Sequence, residues 1–219
     1  MRAAISHSLL AGLAATVLAS CAQGLTATGS LPAAVDLGRD GVPPRQAGED
    51  YYRAASAAVE GRAAGKATGG AKNVTLFVGD CMGISTITAA RIYAGQQQGL
   101  DGESFKLAME TLPHAALSKT YSHDTQVSDS ASTATAMVAG IKSRSRTLGV
   151  TKEAAVGNCA SQEGNGTDSL FELAERAGLS TGIISTARLT HATPASTYAE
   201  AASRDWEDDA VLAGAPGGE

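Results

Sequence analysis

The sequence has 219 residues, of which 43% are hydrophobic and 18% charged, and this composition is typical of a globular protein rather than a disordered chain. Its formal net charge of -5 argues against nucleic acid as the main partner, because phosphate backbones are bound by clustered Lys and Arg side chains. An acidic protein with an anionic substrate has to concentrate positive charge locally, through bound metal ions or a well-placed arginine.

The N-terminus is predicted to be an export signal. Arg2 precedes a short apolar run, LLAGLAATVL, which is too short to span a bilayer. The LASC sequence that ends at Cys21 resembles a bacterial lipobox, so residues 1–21 are predicted to be a signal peptide of the lipoprotein type. The alternative is an ordinary cleaved signal in which Cys21 is incidental. The expected location is the periplasm or the outer-membrane or cell surface, with membrane contact only through a lipid on Cys21.

Composition then changes twice before the main domain. Residues 22–46 are rich in Gly, Ala, Thr and Pro, and are predicted to be a flexible linker. Residues 47–70 are predicted to form a helical arm, with a helix from Glu49 to Arg62 that ends at a group of glycines. The main domain follows over residues 71–219.

The main domain alternates apolar runs with helical patterns. Short runs rich in β-branched or apolar residues predict strands at 73–78, 115–121 and 181–186, the first of them buried on both faces. Helices are predicted from Ile84, from Ala131 to Gly140, from a capping box at Ser169 to Gly178, and from an N-cap and proline at Thr193. This alternation indicates an α/β fold with a parallel sheet between helices, which binds ligands beyond the carboxyl ends of its strands.

Two of the turns at those ends carry residues suited to phosphate chemistry. Asp80, in GDCMG, is either an oxygen ligand for a divalent cation or the cap of the next helix. Ser130, in SDSA, lies at a helix N-terminus that would bind phosphate and favour an alkoxide, unless it is only part of a cap. Ser130 is not in a G-x-S-x-G sequence and the chain has no Walker A loop, so acyl-enzyme and P-loop chemistry are disfavoured.

A third turn, THATP, follows the last predicted strand. Thr193 is either a helix cap or an oxygen ligand, and His191 is a ligand, an orienting group or a surface residue. Arg204, one helix further on, has a planar guanidinium that suits two phosphate oxygens, although a lone arginine is usually a surface charge. None of the three turns identifies a function by itself.

Taken together, the turns resemble the alkaline phosphatase family, and its animal-type branch more than the enteric bacterial type. The resemblance runs from Ala71 to Asp209 in three segments: AKNVTLFVGDCMGISTITAARIYAG, LPHAALSKTYSHDTQVSDSASTATAMVAGIK and STARLTHATPASTYAEAASRDWEDD. It implies a three-layer sandwich with a mostly parallel central sheet, incomplete in this chain, in which residues 71–219 are the N-terminal part of the catalytic domain. It also implies a homodimer across which the helical arm reaches.

The resemblance implies a hydrolase of phosphate monoesters that uses two zinc ions and one magnesium ion. Ser130 would bind zinc and form a phosphoserine intermediate, while Arg204 clamps the phosphate and Asp129 holds Arg204 in place. Asp80 would bridge a zinc and the magnesium. Thr193 would bind the magnesium directly, with His191 lying just behind it.

Two departures from the family pattern qualify this expectation. Cys81 stands where the family usually has glycine, next to Asp80, and its thiol would crowd the turn or attract a soft metal. The remaining zinc and magnesium ligands are expected from an absent C-terminal half, so negligible turnover is predicted for these 219 residues alone. Cys159 matches a family cysteine whose disulfide partner lies in that same half, so a free thiol is expected.

Two other functions are compatible with the residues. A surface lipoprotein that binds phosphate or a protein partner without catalysis would need only the helix N-terminus at Ser130 and the guanidinium of Arg204. The wider superfamily, which includes sulfatases and phosphomutases, shares the sheet and the metal core, but the DSA and HATPA sequences favour alkaline phosphatase. Metal-dependent formation of phosphoserine distinguishes an enzyme from a binding protein.

Overall fold

The computed structural model describes residues 44–63, 71–112 and 115–215. The predicted export signal and nearly all of the predicted linker therefore lie outside the described residues, as does the end of the helical arm. Among the described helices, none is long and apolar enough to cross a bilayer.

Helices account for the regular structure of these three stretches. The α-helices are α1 (Asp50–Ala63), α2 (Ile84–Gln96), α3 (Ser130–Ala139), α4 (Leu170–Arg176), α5 (Ala192–Ala195) and α6 (Asp209–Ala213). Short 3₁₀ helices occupy Arg45–Gly48, Ala108–Thr111 and Cys159–Gln162. The helices predicted from Glu49, Ile84, Ala131 and Ser169 are confirmed as α1 to α4, with bounds close to those predicted.

Local capping explains where α4 begins, whereas α5 begins without a side-chain cap. The capping box predicted at Ser169 is confirmed, since Ser169 Oγ accepts from the Glu172 amide at 3.1 Å and Glu172 Oε2 accepts from the Ser169 amide at 2.6 Å. The prediction that Thr193 caps the next helix is wrong. His191 is the N-cap of α5. It has an extended backbone and no side-chain capping bond, so Thr193 lies within the helix itself.

The three predicted strands are absent from the described residues. Segments 73–78, 115–121 and 181–186 have no regular structure, and within the described stretches isolated bridges pair Leu148 with Ala201 and Val150 with Gly166. The first segment is also not buried, because Phe77 is 91% exposed. An apolar run predicts a backbone able to join a sheet, but a strand also needs a hydrogen-bonded neighbour, and these segments have none here. The parallel sheet and the three-layer sandwich stay predictions.

Small side chains allow α3 and α5 to pack closely. One core cluster joins the two helices and the bridged segments, and consists of Ala131, Leu148, Ala192 and Ala195 with Ala199 and Ala201 packed against it. Because Ser130 and Thr193 adjoin members of this cluster, the packing brings their hydroxyl groups into the same region. The composition of the core thus positions the candidate site.

Two glycines with positive φ adjoin this packed region. Gly140 ends α3 in the left-handed conformation, with φ of 72°, and its amide bonds to the Ala136 carbonyl at 3.2 Å. Gly149, with φ of 62°, lies between the two bridges, and a Cβ there would collide with the Ala199 carbonyl. The left-handed conformation thus favours glycine at position 140, and at position 149 the Ala199 carbonyl leaves no space for a side chain.

The segment before α1 is anchored to the far end of α3. Gln46 is only 2% exposed, and its side-chain Nε2 donates to the backbone carbonyls of Ala139 at 3.1 Å and Asp168 at 2.9 Å. Its side-chain Oε1 accepts from the backbone N–H of Asp168 at 2.9 Å. The Asp168 carboxylate, almost fully buried, pairs with Arg45 and Arg176, both at 3.0 Å. One buried amide and one buried carboxylate therefore join three elements.

Candidate active site

The carboxylate of Asp80 is the meeting point of two hydroxyl groups that are distant in sequence. Ser130 Oγ lies 3.0 Å from both carboxylate oxygens, and Thr193 Oγ1 donates to Oδ2 at 2.9 Å. Ser130 and Thr193 are half-buried, whereas Asp80 is exposed. The structure thus brings the hydroxyls of Ser130 and Thr193, two residues singled out in the sequence, within hydrogen-bonding distance of the Asp80 carboxylate.

A tight turn presents Asp80 to these hydroxyls. The Met82 amide bonds to the Gly79 carbonyl at 3.2 Å, and the Gly83 amide bonds to the Cys81 carbonyl at 3.1 Å. Cys81 has φ of 56°, in the left-handed region that glycine adopts most easily. Its thiol is exposed and forms no disulfide among the described residues. Cys81 therefore occupies a backbone conformation that suits the glycine usual at this position in the family.

Hydrogen bonds keep Asp80 ionised. Burial would raise the pKa of its carboxyl, but hydrogen bonds from Thr193, Ser130 and Cys81 lower the pKa below its ordinary value. An anionic carboxylate surrounded by hydroxyl oxygens is a group of hard donors.

Asp129 caps α3 and also holds Arg204. Its Oδ1 accepts from the Ser132 amide at 3.3 Å and from Ser132 Oγ at 2.8 Å, which satisfies the start of the helix. Its Oδ2 accepts from Arg204 Nη1 at 2.9 Å. Burial would raise the pKa of Asp129, but bonds from the Arg146 amide, Ser132 and Arg204 lower it. The structure therefore places Arg204 beside the N-terminus of the helix that begins at Ser130.

His191 lies on the other side of the Arg204 guanidinium. Arg204 Nη2 is 3.3 Å from His191 Nε2, and since a guanidinium only donates, Nε2 accepts and a neutral imidazole carries its proton on Nδ1. That Nδ1 atom is buried without a hydrogen-bond partner in the described part of the chain. His191 thus contacts Arg204 directly, a contact that the sequence did not predict.

Sequence reasoning also missed an ion pair that joins the segment before α5 to the segment before α6. Arg188 donates to both carboxylate oxygens of Glu207 at 2.7 Å, and Thr190 Oγ1 donates to Glu207 at 2.9 Å. These hydrogen bonds lower the pKa of Glu207 to about 2. Two opposite charges 19 residues apart leave no pattern in the sequence that pairs them, so only the fold reveals this contact.

The described residues supply oxygen ligands but few nitrogen or sulfur ligands. No group of three or more His, Cys, Asp or Glu side chains is arranged to hold a metal in the described part of the chain. The oxygens of Asp80, Ser130 and Thr193 form a set of another kind, which matches the preference of a hard cation such as magnesium. Zinc prefers His and Cys ligands, and that set does not provide them.

Comparison with known proteins gives a consistent relationship. A family model described as alkaline phosphatase matches residues 71–216. The tissue-nonspecific isozyme of alkaline phosphatase from Homo sapiens is 48% identical over 139 residues, which are 64% of this chain and 26% of that protein. An alkaline phosphatase from Gadus morhua is 46% identical over 139 residues, 64% of this chain and 29% of that protein. The chain thus spans about a quarter of the length of the curated relatives it matches.

Solved structures include partial matches from one source. The alkaline phosphatase of the Antarctic bacterium TAB5 matches with a TM-score of 0.44 and 28% identity, over 57% of this chain and 32% of that one. A mutant of the TAB5 enzyme with Mg bound in its M3 site matches with a TM-score of 0.42 and 32% identity, over 50% of this chain and 29% of that one.

Proposed function

The chain belongs to the alkaline phosphatase family, and from that membership we propose that it carries the nucleophile and the phosphate clamp of a phosphate monoester hydrolase. In this proposal Ser130 attacks the substrate phosphorus and is transiently phosphorylated. The observation that carries it is the contact of Ser130 Oγ with both carboxylate oxygens of Asp80, at 3.0 Å each.

The position of Ser130 suits a nucleophile of phosphoryl transfer. It is the first residue of α3, where unpaired backbone N–H groups and the positive end of the helix dipole favour an anionic phosphoryl group. Attack by Oγ forms the new bond to phosphorus as the bond to the leaving alkoxide oxygen breaks in line with it. The helix N-terminus would then stabilise charge on the transferred group.

The proton of the Ser130 hydroxyl is directed at Asp80. The lowered pKa of Asp80 makes its carboxylate a weak base, so the carboxylate orients the hydroxyl but does not take up its proton readily. Formation of the nucleophile therefore requires additional positive charge near Oγ. A bound divalent cation would supply that charge and lower the pKa of the hydroxyl.

Arg204 is the proposed phosphate clamp. Asp129 and His191 each accept from one terminal nitrogen of its guanidinium, at 2.9 Å and 3.3 Å. A guanidinium has five N–H donors in a fixed plane, so others remain for two phosphate oxygens. Asp129 and His191 therefore orient Arg204 before substrate binds, which reduces the entropy cost of binding.

Magnesium fits the described residues, whereas zinc does not. Asp80, Ser130 and Thr193 would hold magnesium through one carboxylate and two hydroxyl oxygens, in keeping with its preference for oxygen ligands. The Mg-bound TAB5 mutant is consistent with this choice within the family. The two zinc ions implied by the resemblance lack a ligand set among the described residues.

Transfer of a phosphoryl group to Ser130 is the direct test. The chain is incubated with p-nitrophenyl phosphate, magnesium and zinc, quenched in acid, and analysed by peptide mass spectrometry. We expect one added phosphoryl group on the peptide that contains Ser130, and none after Ser130→Ala. Ser128→Ala is the matched control, since Ser128 is a neighbouring hydroxyl that bonds to Ser132 rather than to Asp80.

The outcomes separate enzyme from binding protein. Steady turnover is expected to be negligible because the described residues do not complete a dizinc site. Phosphate binding that needs no metal, without any phosphoserine, would instead support a non-catalytic phosphate-binding protein. Labelling that persists in Ser130→Ala would contradict the assignment of the nucleophile.

A further inference from the structure

Arg146 has a backbone conformation that its residue type does not favour. Its φ is 72°, and Arg146 and Cys81 are the non-glycine residues with positive φ in the described part of the chain. In this region Cβ lies too close to the following carbonyl oxygen, so the conformation persists only where the surroundings enforce it. The surroundings of Arg146 include both members of the Asp129–Arg204 ion pair.

The backbone of Arg146 contacts each partner of that pair. Its N–H donates to Asp129 Oδ1 at 3.1 Å, and its carbonyl accepts from the Arg204 N–H at 2.7 Å. The left-handed turn directs these two groups at residues that are 75 positions apart in sequence. One peptide segment therefore fixes the distance between the carboxylate and the arginine that it holds.

The Arg146 amide also determines how the Asp129 carboxylate is oriented. Oδ1 receives the donors from Ser132 and Arg146 and a longer one from Ser145 Oγ at 3.5 Å, which leaves Oδ2 for the guanidinium of Arg204. Loss of the Arg146 amide would leave Oδ1 with the helix cap and the long Ser145 contact. The Asp129 carboxylate would then rotate more freely about its side-chain bonds, and the Arg204 guanidinium that it holds would be less firmly positioned.

The Arg146 side chain contributes less than its backbone. The guanidinium pairs with Asp205, but the two side chains are 56% and 57% exposed, and exposed ion pairs stabilise little. We propose that Arg146 is a positioning residue for Arg204 and acts through its left-handed backbone. This inference rests on the proposed role of Arg204 as the phosphate clamp.

Substitutions at position 146 distinguish backbone from side chain. Arg146→Gly removes the guanidinium and keeps the left-handed conformation accessible. Arg146→Val also removes the guanidinium, but valine is β-branched and disfavours the left-handed conformation. Arg146→Ala retains a Cβ and serves if the valine variant does not fold, as judged by circular dichroism. Glu153→Val is the matched control, an exposed position without positive φ.

The readout is the nitrogen NMR signal of the Arg204 side chain, assigned with Arg204→Lys. A guanidinium held by Asp129 rotates slowly and gives separate Nη signals, and we expect these in the unsubstituted chain, in Arg146→Gly and in Glu153→Val. We expect averaged signals in Arg146→Val, and partial averaging in Arg146→Ala. Unchanged signals in Arg146→Val, or equal loss in the glycine and valine variants, would overturn the inference.

Calorimetry with inorganic phosphate and magnesium then tests the link to function. Arg146→Val should weaken phosphate binding by about tenfold and Arg146→Gly should not, since one charge-assisted contact is at stake. If the NMR series behaves as expected but the unsubstituted chain binds no phosphate, the proposed function fails while the positioning role stands. If phosphate binds equally to all variants, the positioning role fails while the proposed function stands.

Discussion

Cys81 and Arg146 show how single residues in this site depart from what their side chains favour. Their φ angles are 56° and 72°, and a left-handed backbone costs a residue with a side chain roughly 1–2 kcal/mol. Each adjoins or contacts a carboxylate of the candidate site, Asp80 or Asp129. Strain of this kind often accompanies functional sites, where the surrounding contacts enforce it.

Cys81→Gly should stabilise the chain. Glycine adopts the left-handed conformation without the clash of a Cβ, although it also gains freedom in the unfolded state, so the free energy of unfolding is expected to rise by about 1 kcal/mol. Urea denaturation followed by circular dichroism measures the change.

Cys159→Gly is the matched control for Cys81→Gly. Cys159 begins a short 3₁₀ helix and does not have a positive φ, so the same substitution there should lower the free energy of unfolding by roughly 0.5–1 kcal/mol. Equal changes at the two positions would show that the backbone conformation of Cys81 carries no strain.

Residues within short motifs were located from the sequence, and residues outside them were not. Asp80, Ser130 and Thr193 were singled out because each lies in a compact turn beside a helix, and the structure brings them together. Arg146 and Glu207 were missed. An arginine with positive φ leaves no mark in the sequence, and the partner of Glu207 is 19 residues away.

The 3₁₀ helix before α1 depends on one buried side chain for its attachment to α3 and α4. Gln46→Ala removes three hydrogen bonds and leaves the carbonyls of Ala139 and Asp168 and the Asp168 amide without their partner. Unsatisfied buried groups are costly, so the free energy of unfolding should fall by about 2–3 kcal/mol in thermal or urea denaturation.

Arg53→Ala, which breaks an exposed ion pair on α1, is the control and should change the free energy of unfolding by less than about 0.5 kcal/mol. Similar effects of the two substitutions would contradict the anchoring role of Gln46.

Asp168 makes the same attachment dependent on pH. Burial would raise the pKa of its carboxyl, but Arg176 and Arg45 lower it to about 2, against an ordinary value of 3.8. The folded state therefore holds this proton more weakly than the unfolded state. The resulting stabilisation, about 2 kcal/mol, is complete above pH of about 4 and is lost as the pH falls toward about 2.

Unfolding of the unsubstituted chain and of Asp168→Asn is to be compared between pH 7 and pH 2. The variant should be less stable at neutral pH, and the difference should shrink as the pH falls below about 4. Asp50→Asn, at an exposed carboxylate, should show no such convergence. A difference between Asp168→Asn and the unsubstituted chain that stays constant over the whole range would rule out the ion pairs of Asp168 as its source.

Helices were predicted well and strands were not, for a physical reason. A helix satisfies its hydrogen bonds locally, so capping residues such as Ser169 and Asp129 determine where it begins. A strand needs a partner elsewhere, which its own residues do not specify. The segment 73–78 has the composition of a strand, yet in the described part of the chain it pairs with nothing.

The candidate site exists only in the folded chain as a whole. Asp80 bonds to Ser130 across 50 positions and to Thr193 across 113 positions of sequence. Neither contact belongs to a single helix, and both depend on the alanine-rich packing of α3 against α5. The family relationship covers the same region, residues 71–216. We therefore propose that these three oxygen-bearing side chains form one cation site.

Calorimetric titration with magnesium tests this claim most directly. The unsubstituted chain should bind one magnesium ion, and both Asp80→Asn and Thr193→Val should weaken binding by more than about tenfold. Ser122→Ala, at a hydroxyl that bonds to Asp124 and Thr125 instead, should leave the affinity unchanged. Magnesium binding that is equally strong in Asp80→Asn, or absent from the unsubstituted chain, would contradict the account.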